Sequence, residues 1–283
     1  MTITGSTRLI GVMGNPIGHS LSPNMHNAAL AYLKLNMVYI PLWVQPELLK
    51  SAIEAVRAFH FLGVNVTIPF KEKVIPFLDR VDKTAAKIGA VNTIINEDGC
   101  LVGYNTDGEG FMMSVTEESG QTVEGKKITL LGAGGSAKAI GFSMIGRNIH
   151  SLVIINRTIE KAIELEHILR KHTSCPITVF SLESKNISDV LRSSDIIVNT
   201  TSVGMEPNDK DTPVKEYTWV SPHHFCCDII YKPRKTEWLR EVENRGGKVL
   251  GGSGMLVGQG AIAFRLFTGY DAPFKIMKKE VFG

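Results

Sequence analysis

Residues 127–140 read KITLLGAGGSAKAI and combine the features that decide the fold of the second half of the chain. The segment KITLL is typical of a buried strand, and the glycine-rich turn GAGGSA (residues 132–137) follows it at once. Apolar residues at helical spacing then continue to about Arg147. A strand, a glycine turn and a helix in this order predict the opening of a βαβ unit in a parallel sheet.

Strand and helix patterns alternate in both directions from this unit. We expect strands at residues 9–13, 37–44, 64–68, 91–96, 127–131, 152–156, 177–180, 195–199, 225–230 and 248–252. We expect helices from about Pro23, over 46–59, from the glycine turn to Arg147, from Thr158, and over 254–267 and 273–282. The alternation predicts an α/β protein, and 283 residues exceed a typical single core, so we expect two domains.

The bulk composition excludes several classes of function. The chain is 43% hydrophobic and 21% charged, and its net charge is only +3. Its one dense basic stretch, residues 275–279, lies in an amphipathic terminal segment that is typical of a solvated helix face. We therefore expect neither nucleic acid nor a membrane as the main partner. The oligomeric state is left open, with a homodimer as one alternative.

The cysteines and the N-terminal residues bear on the cellular compartment. Cys226 and Cys227 are adjacent in a predicted strand, whose successive side chains point to opposite faces, and Cys100 and Cys175 stand apart from them. We expect reduced thiols and no metal site. The N-terminal segment lacks a signal-peptide pattern, and no apolar run approaches the about 20 residues that cross a bilayer. These features predict a cytoplasmic protein.

The glycine turn predicts a dinucleotide site. Gly132 permits the tight turn, Gly134 lets the backbone approach a pyrophosphate, and Ala137 allows the helix to pack closely on the strand. The N-terminus of that helix offers free N–H groups to phosphates. The candidate cofactor residues in this region are Gly132, Ala133, Gly134, Gly135, Ser136 and Ala137, with Gly252 farther along the chain.

The residues after the second strand of this half favour NADP over NAD. An NAD site has Asp or Glu at this point to bind the ribose 2′-hydroxyl. This chain instead has Asn156, Arg157 and Thr158, with Lys161 one helical turn later. Two cations and a hydroxyl would bind the 2′-phosphate that a carboxylate would repel. We expect NADP, with NAD as a weaker alternative.

Polar residues follow several predicted strands of the first half. Ser20 and Ser22 lie in a loop and could hold a small anion, although serine and proline in this pattern also simply begin helices. Lys71 comes just after a turn that ends one predicted strand, and Asn92 and Asp107 stand at the ends of two further segments that we take to be strands. Because the carboxyl ends of strands line the ligand crevice of open α/β sheets, we expect these three at a site for a polyhydroxylated substrate.

The motifs GNPIGHSLSP, NVTIPFK, GAVNT, GYNTD, GAGGSA, NRT, YKP and GMLVGQ occur in an order that resembles the shikimate dehydrogenase family. They span residues 14–259, which is nearly the whole chain. The resemblance implies reversible NADPH-dependent reduction of 3-dehydroshikimate to shikimate, on the route to chorismate and aromatic amino acids. It also implies a mainly parallel α/β substrate domain (1–106 plus 253–283) and a Rossmann-type doubly wound NADP domain (107–252).

The resemblance implies a role for each matching residue. Lys71 and Asp107 match the catalytic pair, and Ser20 and Ser22 match residues that hold the substrate carboxylate. Ring hydroxyls are held in the family by residues that correspond here to Thr67, Lys71, Asn92, Asp107 and Gln259, and Tyr231 resembles a tyrosine that closes near the carboxylate. Independently, oxidation of a secondary alcohol needs a group that removes the hydroxyl proton, and a lysine beside a carboxylate can do so.

Lys161 departs from the family pattern and leaves alternatives open. NADP-selective members often have a second arginine there, and lysine cannot bind a phosphate in two-pronged fashion. An NAD-linked quinate/shikimate dehydrogenase of catabolic type is therefore the nearest alternative. A non-catalytic NADP-binding regulatory module is a remote alternative, which loss of Lys71 or Asp107 would have favoured.

Overall fold

A computed structural model describes residues 3–283, which form two compact units. The first unit comprises the chain up to residue 110 together with residues 257–283, and the second comprises residues 111–256. Among the described residues, no helix is long and apolar enough to span a membrane. The same part of the chain has no group of three or more His, Cys, Asp or Glu side chains arranged to hold a metal ion.

The first unit contains a six-stranded sheet with helices on its two faces. Its elements up to residue 104 are β1 (Arg8–Gly14), α1 (Ser22–Tyr32), β2 (Met37–Trp43), α2 (Leu49–Ala58), β3 (Gly63–Val66), β4 (Arg80–Val81), α3 (Lys83–Ile88), β5 (Thr93–Glu97) and β6 (Cys100–Tyr104). The strand order is β2-β1-β3-β5-β6-β4. β1 is parallel to β2 and β3, whereas β5 is antiparallel to both β3 and β6, and β4 is parallel to β6.

The rest of the chain forms the second unit and then returns to the first. Its elements are α4 (Asp107–Ser119), β7 (Lys127–Leu131), α5 (Gly135–Ile145), β8 (Ser151–Asn156), α6 (Ile159–Arg170), β9 (Ile177–Ser181), α7 (Ile187–Arg192), β10 (Ile196–Asn199), β11 (Phe225–Asp228), α8 (Glu237–Asn244), β12 (Lys248–Leu250), α9 (Ser253–Thr268) and α10 (Phe274–Phe282). Helices α4 and α9 each contribute residues to both units.

Successive side chains of β1 point to opposite faces of the sheet, and they pack in two separate layers of the core of the first unit. Ile10 and Val12 pack in a cluster with residues of α1, α9 and α10, which are the elements on one face of the sheet. Met13 packs in a second cluster with residues of α2, β3 and β5. The C-terminal helices therefore cover a face of the N-terminal sheet.

The second sheet is parallel throughout, with the order β12-β11-β10-β7-β8-β9. Its first strand, β7, lies in the middle, so the chain winds outward to one edge and then to the other. This is the doubly wound order of dinucleotide-binding folds, in which the strand order reverses between the first and fourth strands. The reversal lies here between β7 and β10, and the predicted α/β fold with a doubly wound second domain is confirmed.

The adjacent cysteines of β11 behave as the strand prediction requires. Cys227 packs in the core cluster that contains residues of α5, whereas Cys226 packs in the cluster that contains residues of α8 on the other face. Both are buried, and all four cysteines are free thiols. Burial raises the pKa of both thiols, so neither has thiolate character at neutral pH.

Several predicted elements have different bounds in the structure: the strand expected over 91–96 begins at Thr93, and those expected over 225–230 and 248–252 end at Asp228 and Leu250. Two further elements also differ. The strand expected over 64–68 ends at Val66, because Pro69 lacks an N–H and Ile68 turns its side chain toward solvent, where it is 66% exposed. The helix expected over 46–59 begins as one 3-10 turn, Pro46–Leu48, and becomes α-helical only at Leu49. No strand is predicted at β4, and β6 corresponds to the strand that is expected before Asp107 without definite bounds.

His26 on α1 is a buried side chain without a polar partner. Its ring is 1% exposed and stacks on the Tyr39 ring, with centroids 4.2 Å apart and planes within 6°. Neither ring nitrogen has a hydrogen-bond partner among the described residues. Burial lowers the pKa of His26 to about 3. The native state therefore holds a neutral imidazole in an apolar environment.

This burial predicts an acid-sensitive contribution to stability. Because the native pKa lies below the unfolded value of about 6.5, His26 stabilises the native state fully above that pH and progressively less as the pH falls toward 3. His26→Leu removes the titrating group at similar volume. Between about pH 7.5 and pH 5, we expect the free energy of unfolding of the unaltered protein to fall about 2 kcal/mol more than that of the variant. Urea unfolding at both pH values measures this difference, and equal falls would contradict it.

Candidate active site

Lys71 and Asp107 form a largely buried ion pair in the first unit. Lys71 Nζ lies 2.5 Å from Asp107 Oδ2, and the two side chains are only 18% and 6% exposed. Removing one partner of such a pair leaves an uncompensated charge away from water, so the two groups depend on each other. The predicted catalytic residues are therefore brought together, with little solvent access to the carboxylate.

Backbone contacts hold the segments that carry this pair. The carbonyl of Lys71 accepts a hydrogen bond from Val91 N at 2.8 Å. Asp107 is the first residue of α4, where the helix dipole favours a negative charge. Its N–H donates to Asn105 Oδ1 at 3.1 Å, and Asn105 Nδ2 donates to Ala90 O at 2.9 Å. The segments around residues 71, 91 and 106 are thus joined to one another by hydrogen bonds.

Asn92 is the third polar residue beside Lys71 and Asp107, but it lies at the start of a strand, whereas the sequence predicts it at a carboxyl end. It lies immediately before β5, not after a strand, and β5 runs antiparallel to its neighbours. The start of β5 therefore lies beside the carboxyl ends of β3 and β6, which is why Asn92 still reaches the site. Asn92 Nδ2 donates to Asp107 Oδ1 at 2.8 Å, so the two oxygens of Asp107 are divided between an amide and an ammonium.

Three hydroxyl residues lie on the loops after β1 and β3. Ser22 begins α1 and is 8% exposed, and its N–H donates to Ser20 Oγ at 3.3 Å. Thr67 N donates to Met13 O at 3.0 Å. A side chain at Gly14 would meet Thr67 Cγ2 at 2.5 Å, so only glycine lets the loop after β1 pack this closely on Thr67. These contacts fix the backbone of two of the hydroxyl residues predicted to bind substrate.

Gln259 on α9 is positioned by a close crossing of two helices. A side chain at Gly110 of α4 would meet Gln259 N at 2.3 Å, and one at Gly258 would meet Gly110 O at 2.7 Å. Gly110 lies one turn after Asp107 on the same helix. The two glycines therefore place the backbone of Gln259 against the turn of α4 that Asp107 begins.

Sequence reasoning missed three further polar residues of this site. Tyr39, Asn65 and Thr93 are buried in β2, β3 and β5, and they form a hydrogen-bonded series that ends at Asn92. Each stands among apolar neighbours in its strand. A polar residue inside a fully buried strand such as Gly63–Val66 is the signal that could have identified Asn65.

The glycine turn of the second unit lies at the reversal of strand order. Gly132 has a φ of +111°, and a side chain there would meet Thr200 Oγ1, just after β10, at 2.6 Å. A side chain at Gly134 would meet nothing within 4 Å, and Gly134 directly precedes the N-terminus of α5. Ala137 in the first turn of α5 is fully buried. An open backbone before an 11-residue helix fits the pyrophosphate of a dinucleotide.

The residues directly after β8 are cationic or polar, and the nearest carboxylate along the chain is the exposed Glu160 of α6. Arg157, Thr158 and Lys161 are exposed, and Asn156 Nδ2 donates to Thr158 O at 2.7 Å. Within residues 3–283, no acidic side chain forms an ion pair with Arg157 or Lys161. The residues in this position therefore fit a phosphate on the adenosine ribose better than a free 2′-hydroxyl.

Tyr231 and Gly252 lie in the second unit, after β11 and β12. A side chain at Gly252 would meet Ile229 O at 2.2 Å, so this position admits only glycine. The loop that contains Tyr231 starts from Asp228, whose carboxylate accepts hydrogen bonds from Asn199 Nδ2, Ile230 N and Thr236 Oγ1. Burial raises the pKa of Asp228 to about 6, although these donors oppose the rise. Burial also raises the pKa of Tyr231.

Three family models match consecutive parts of the chain. The shikimate dehydrogenase substrate binding domain matches residues 12–94. The shikimate/quinate 5-dehydrogenase family matches residues 114–236, and the shikimate 5′-dehydrogenase C-terminal domain matches residues 252–282. The three matches together cover most of the chain in the order in which its motifs occur.

Individual relatives are similar over nearly their whole length. The shikimate dehydrogenase (NADP+) of Moorella thermoacetica is 44% identical over 98% of this chain and 93% of its own. The shikimate 5-dehydrogenase of Listeria monocytogenes, solved with shikimate and NAD, is 36% identical with a TM-score of 0.93 over 100% and 99% of the two chains. The Thermus thermophilus enzyme, solved with NADP(H) and shikimate, is 33% identical with a TM-score of 0.86 over 97% and 98%.

Alanine substitutions at the two turn glycines should differ in their effect on stability. Gly132→Ala forces a side chain into a positive φ and against Thr200, and we expect it to lower the free energy of unfolding by about 1–3 kcal/mol. Gly134→Ala is the matched control, since its φ is −86° and its methyl group would enter open space. Urea unfolding of both variants measures the contrast. If Gly134→Ala destabilised the protein as much as Gly132→Ala, this account of the turn would be wrong.

Proposed function

Because the chain belongs to the shikimate dehydrogenase family, we propose that Lys71 and Asp107 are the catalytic pair of its reaction. That reaction is the reversible, NADPH-dependent reduction of 3-dehydroshikimate to shikimate in aromatic biosynthesis. The chain is thus an oxidoreductase that acts on a CH–OH group. The buried contact between Lys71 Nζ and Asp107 Oδ2 is the observation that carries the proposal.

Lys71 is the group that moves the proton. In the direction of reduction, Lys71 Nζ gives a proton to the carbonyl oxygen of the substrate as that carbon is reduced, and in oxidation it removes the hydroxyl proton. Asp107 holds the ammonium in place through Oδ2, while its Oδ1 stays bound to Asn92. When bound, NADP(H) supplies the hydride for reduction and takes it up in oxidation.

Substrate recognition is assigned to the polar groups around this pair. Ser20 and Ser22 hold the carboxylate, and the backbone N–H of Ser22 donates to the Ser20 hydroxyl oxygen. The ring hydroxyls contact Thr67, Asn92 and Gln259 as well as the catalytic pair. The role of Tyr231 as a further substrate contact stays a prediction. We assign the substrate to residues 1–106 plus 253–283 and NADP to residues 107–252, close to the limits of the two compact units.

The cofactor is held by the glycine turn and by the cations after β8. Backbone N–H groups at Gly134 and at Gly135, the first residue of α5, bind the pyrophosphate, and Gly132 allows the turn to pack closely on Thr200. Gly252, which packs closely on Ile229, is assigned to the cofactor as well. Arg157, with Thr158 and Lys161, binds the 2′-phosphate. We further infer a cytoplasmic location from the four free thiols. A homodimer stays a prediction, which analytical sedimentation of the purified protein would test.

Lys71→Ala tests the catalytic assignment. We expect kcat for shikimate oxidation, followed by NADPH absorbance, to fall about 10²–10⁴-fold, because no other group at the site replaces the proton carrier. NADP affinity, measured by fluorescence titration, should stay nearly unchanged, since Lys71 has no role in the glycine turn.

Lys73→Ala is the matched control, because Lys73 is an exposed lysine two residues away. It should keep the kcat of the unaltered protein. Normal turnover in the Lys71 variant would refute the assignment, and tight NADP binding without shikimate oxidation in the unaltered protein would instead favour a non-catalytic role.

Arg157→Ala tests the phosphate assignment. Loss of a charge-assisted contact to the 2′-phosphate should weaken NADP binding about 10- to 100-fold and leave NAD binding nearly unchanged. Dissociation constants for both cofactors measure this. Arg192→Ala, at an exposed arginine of α7 in the same unit, controls for the loss of one positive charge. Equal weakening of NADP and NAD binding would contradict recognition of the 2′-phosphate by Arg157.

A further inference from the structure

A buried series of hydrogen bonds runs across the first sheet to the catalytic pair. Tyr39 Oη donates to Asn65 Oδ1 at 2.7 Å, and Asn65 Nδ2 donates to Thr93 Oγ1 at 3.0 Å. Thr93 Oγ1 donates to Asn92 Oδ1 at 2.9 Å, and Asn92 Nδ2 donates to Asp107 Oδ1 at 2.8 Å. All five side chains are at least nine-tenths buried.

Backbone groups fix the direction of these hydrogen bonds. The carbonyl of Asn92 can only accept, and it accepts from Asn65 Nδ2 at 3.2 Å, so the amide of Asn65 cannot be reversed. The N–H of Thr106 can only donate, and it donates to Asn92 Oδ1 at 2.9 Å. The NH₂ group of Asn92 must therefore face Asp107. Because Thr93 accepts from Asn65, its own proton is directed to Asn92.

The far end of the series reaches the predicted carboxylate site. Burial raises the pKa of Tyr39 well above its usual value, and a hydrogen bond from the Ser22 side chain opposes that rise. Tyr39 therefore stays protonated and remains a donor to Asn65. Its ring is held in place by the stacked imidazole of His26, which lies one helical turn after Ser22 on α1.

We propose that Tyr39, Asn65 and Thr93 are positioning residues, which orient Asn92 and through it the Asp107 carboxylate toward Lys71. None of the three needs to touch substrate for this role. In a buried site an unmatched donor or acceptor costs more than in water, so the series admits one arrangement of the catalytic carboxylate. The proposal rests on the proposed function, because it requires that Asp107 acts in the reaction.

Thr93→Val and Thr93→Ser form the central test. Valine matches threonine in shape but deprives Asn92 Oδ1 of one donor, and we expect kcat to fall about tenfold with NADP affinity unchanged. Serine keeps the hydroxyl and should restore most of kcat.

Tyr39→Phe keeps the stacked ring and removes only the first donor of the series, so kcat should also fall. Thr129→Val removes a buried strand hydroxyl from the other unit, where it bonds Ser194 Oγ at 2.7 Å, and should leave kcat unchanged.

A double variant separates positioning from a loss of stability. If Thr93 acts through Asp107, Thr93→Val should lower kcat in the unaltered protein but not in an Asp107→Asn background. Unchanged kcat in Thr93→Val, equal losses in the Val and Ser variants, or a full further loss in the Asp107→Asn background would each overturn the proposal. Lys71→Ala, assayed alongside, reports separately on the proposed function, since its normal turnover would refute the catalytic pair itself.

Discussion

The carboxylate of Asp107 is the group on which the arrangement of the first unit depends. A carboxylate with 6% exposure has lost most of its hydration, and the protein must replace it with donors. Lys71 serves one oxygen and Asn92 the other, and the N-terminus of α4 adds its dipole. The loops after β3 and β6 and the start of β5 are brought together by this requirement.

The second unit differs from the first because it leaves backbone N–H groups exposed, where a ligand can accept hydrogen bonds from them. Most N–H groups in a folded protein are paired, and only a helix N-terminus offers several in one direction. The turn before α5 contains two glycines with different roles. Gly132 is required because of its positive φ and its contact with Thr200, whereas Gly134 is open to solvent. A position that admits only glycine and a position with open space around it thus stand two residues apart in the same turn.

Features that depend on a short stretch of sequence could be predicted, whereas features that depend on pairing between distant residues could not. The strand Lys127–Leu131, the turn after it and the opposite burial of Cys226 and Cys227 depend on short periodic patterns, and the sequence predicted all three. The direction of β5 depends on which strands it pairs with. Asn92 therefore lies beside Asp107, as expected, but at the start of a strand rather than at its carboxyl end. The series from Tyr39 to Thr93 joins residues 26 and 28 positions apart, and no local pattern encodes such pairing. The family motifs predicted roles for the residues that we assign to the substrate and predicted none for Tyr39, Asn65 and Thr93.

Because Asn92 lies at the start of the antiparallel strand β5, its position depends on the number of residues before it more than on which residues they are. Asn92 is held on both sides by the sheet, since its N–H bonds Tyr104 O and its carbonyl accepts from Val66 N. Deleting one residue between Gly89 and Asn92 would shift the strand by one position and turn Asn92 to the opposite face of the sheet. The hairpin at Asp98 and Gly99, by contrast, lies at the far end of the ladder. Insertions and deletions during divergence should therefore accumulate at that hairpin and be absent from the segment between Gly89 and Asn92.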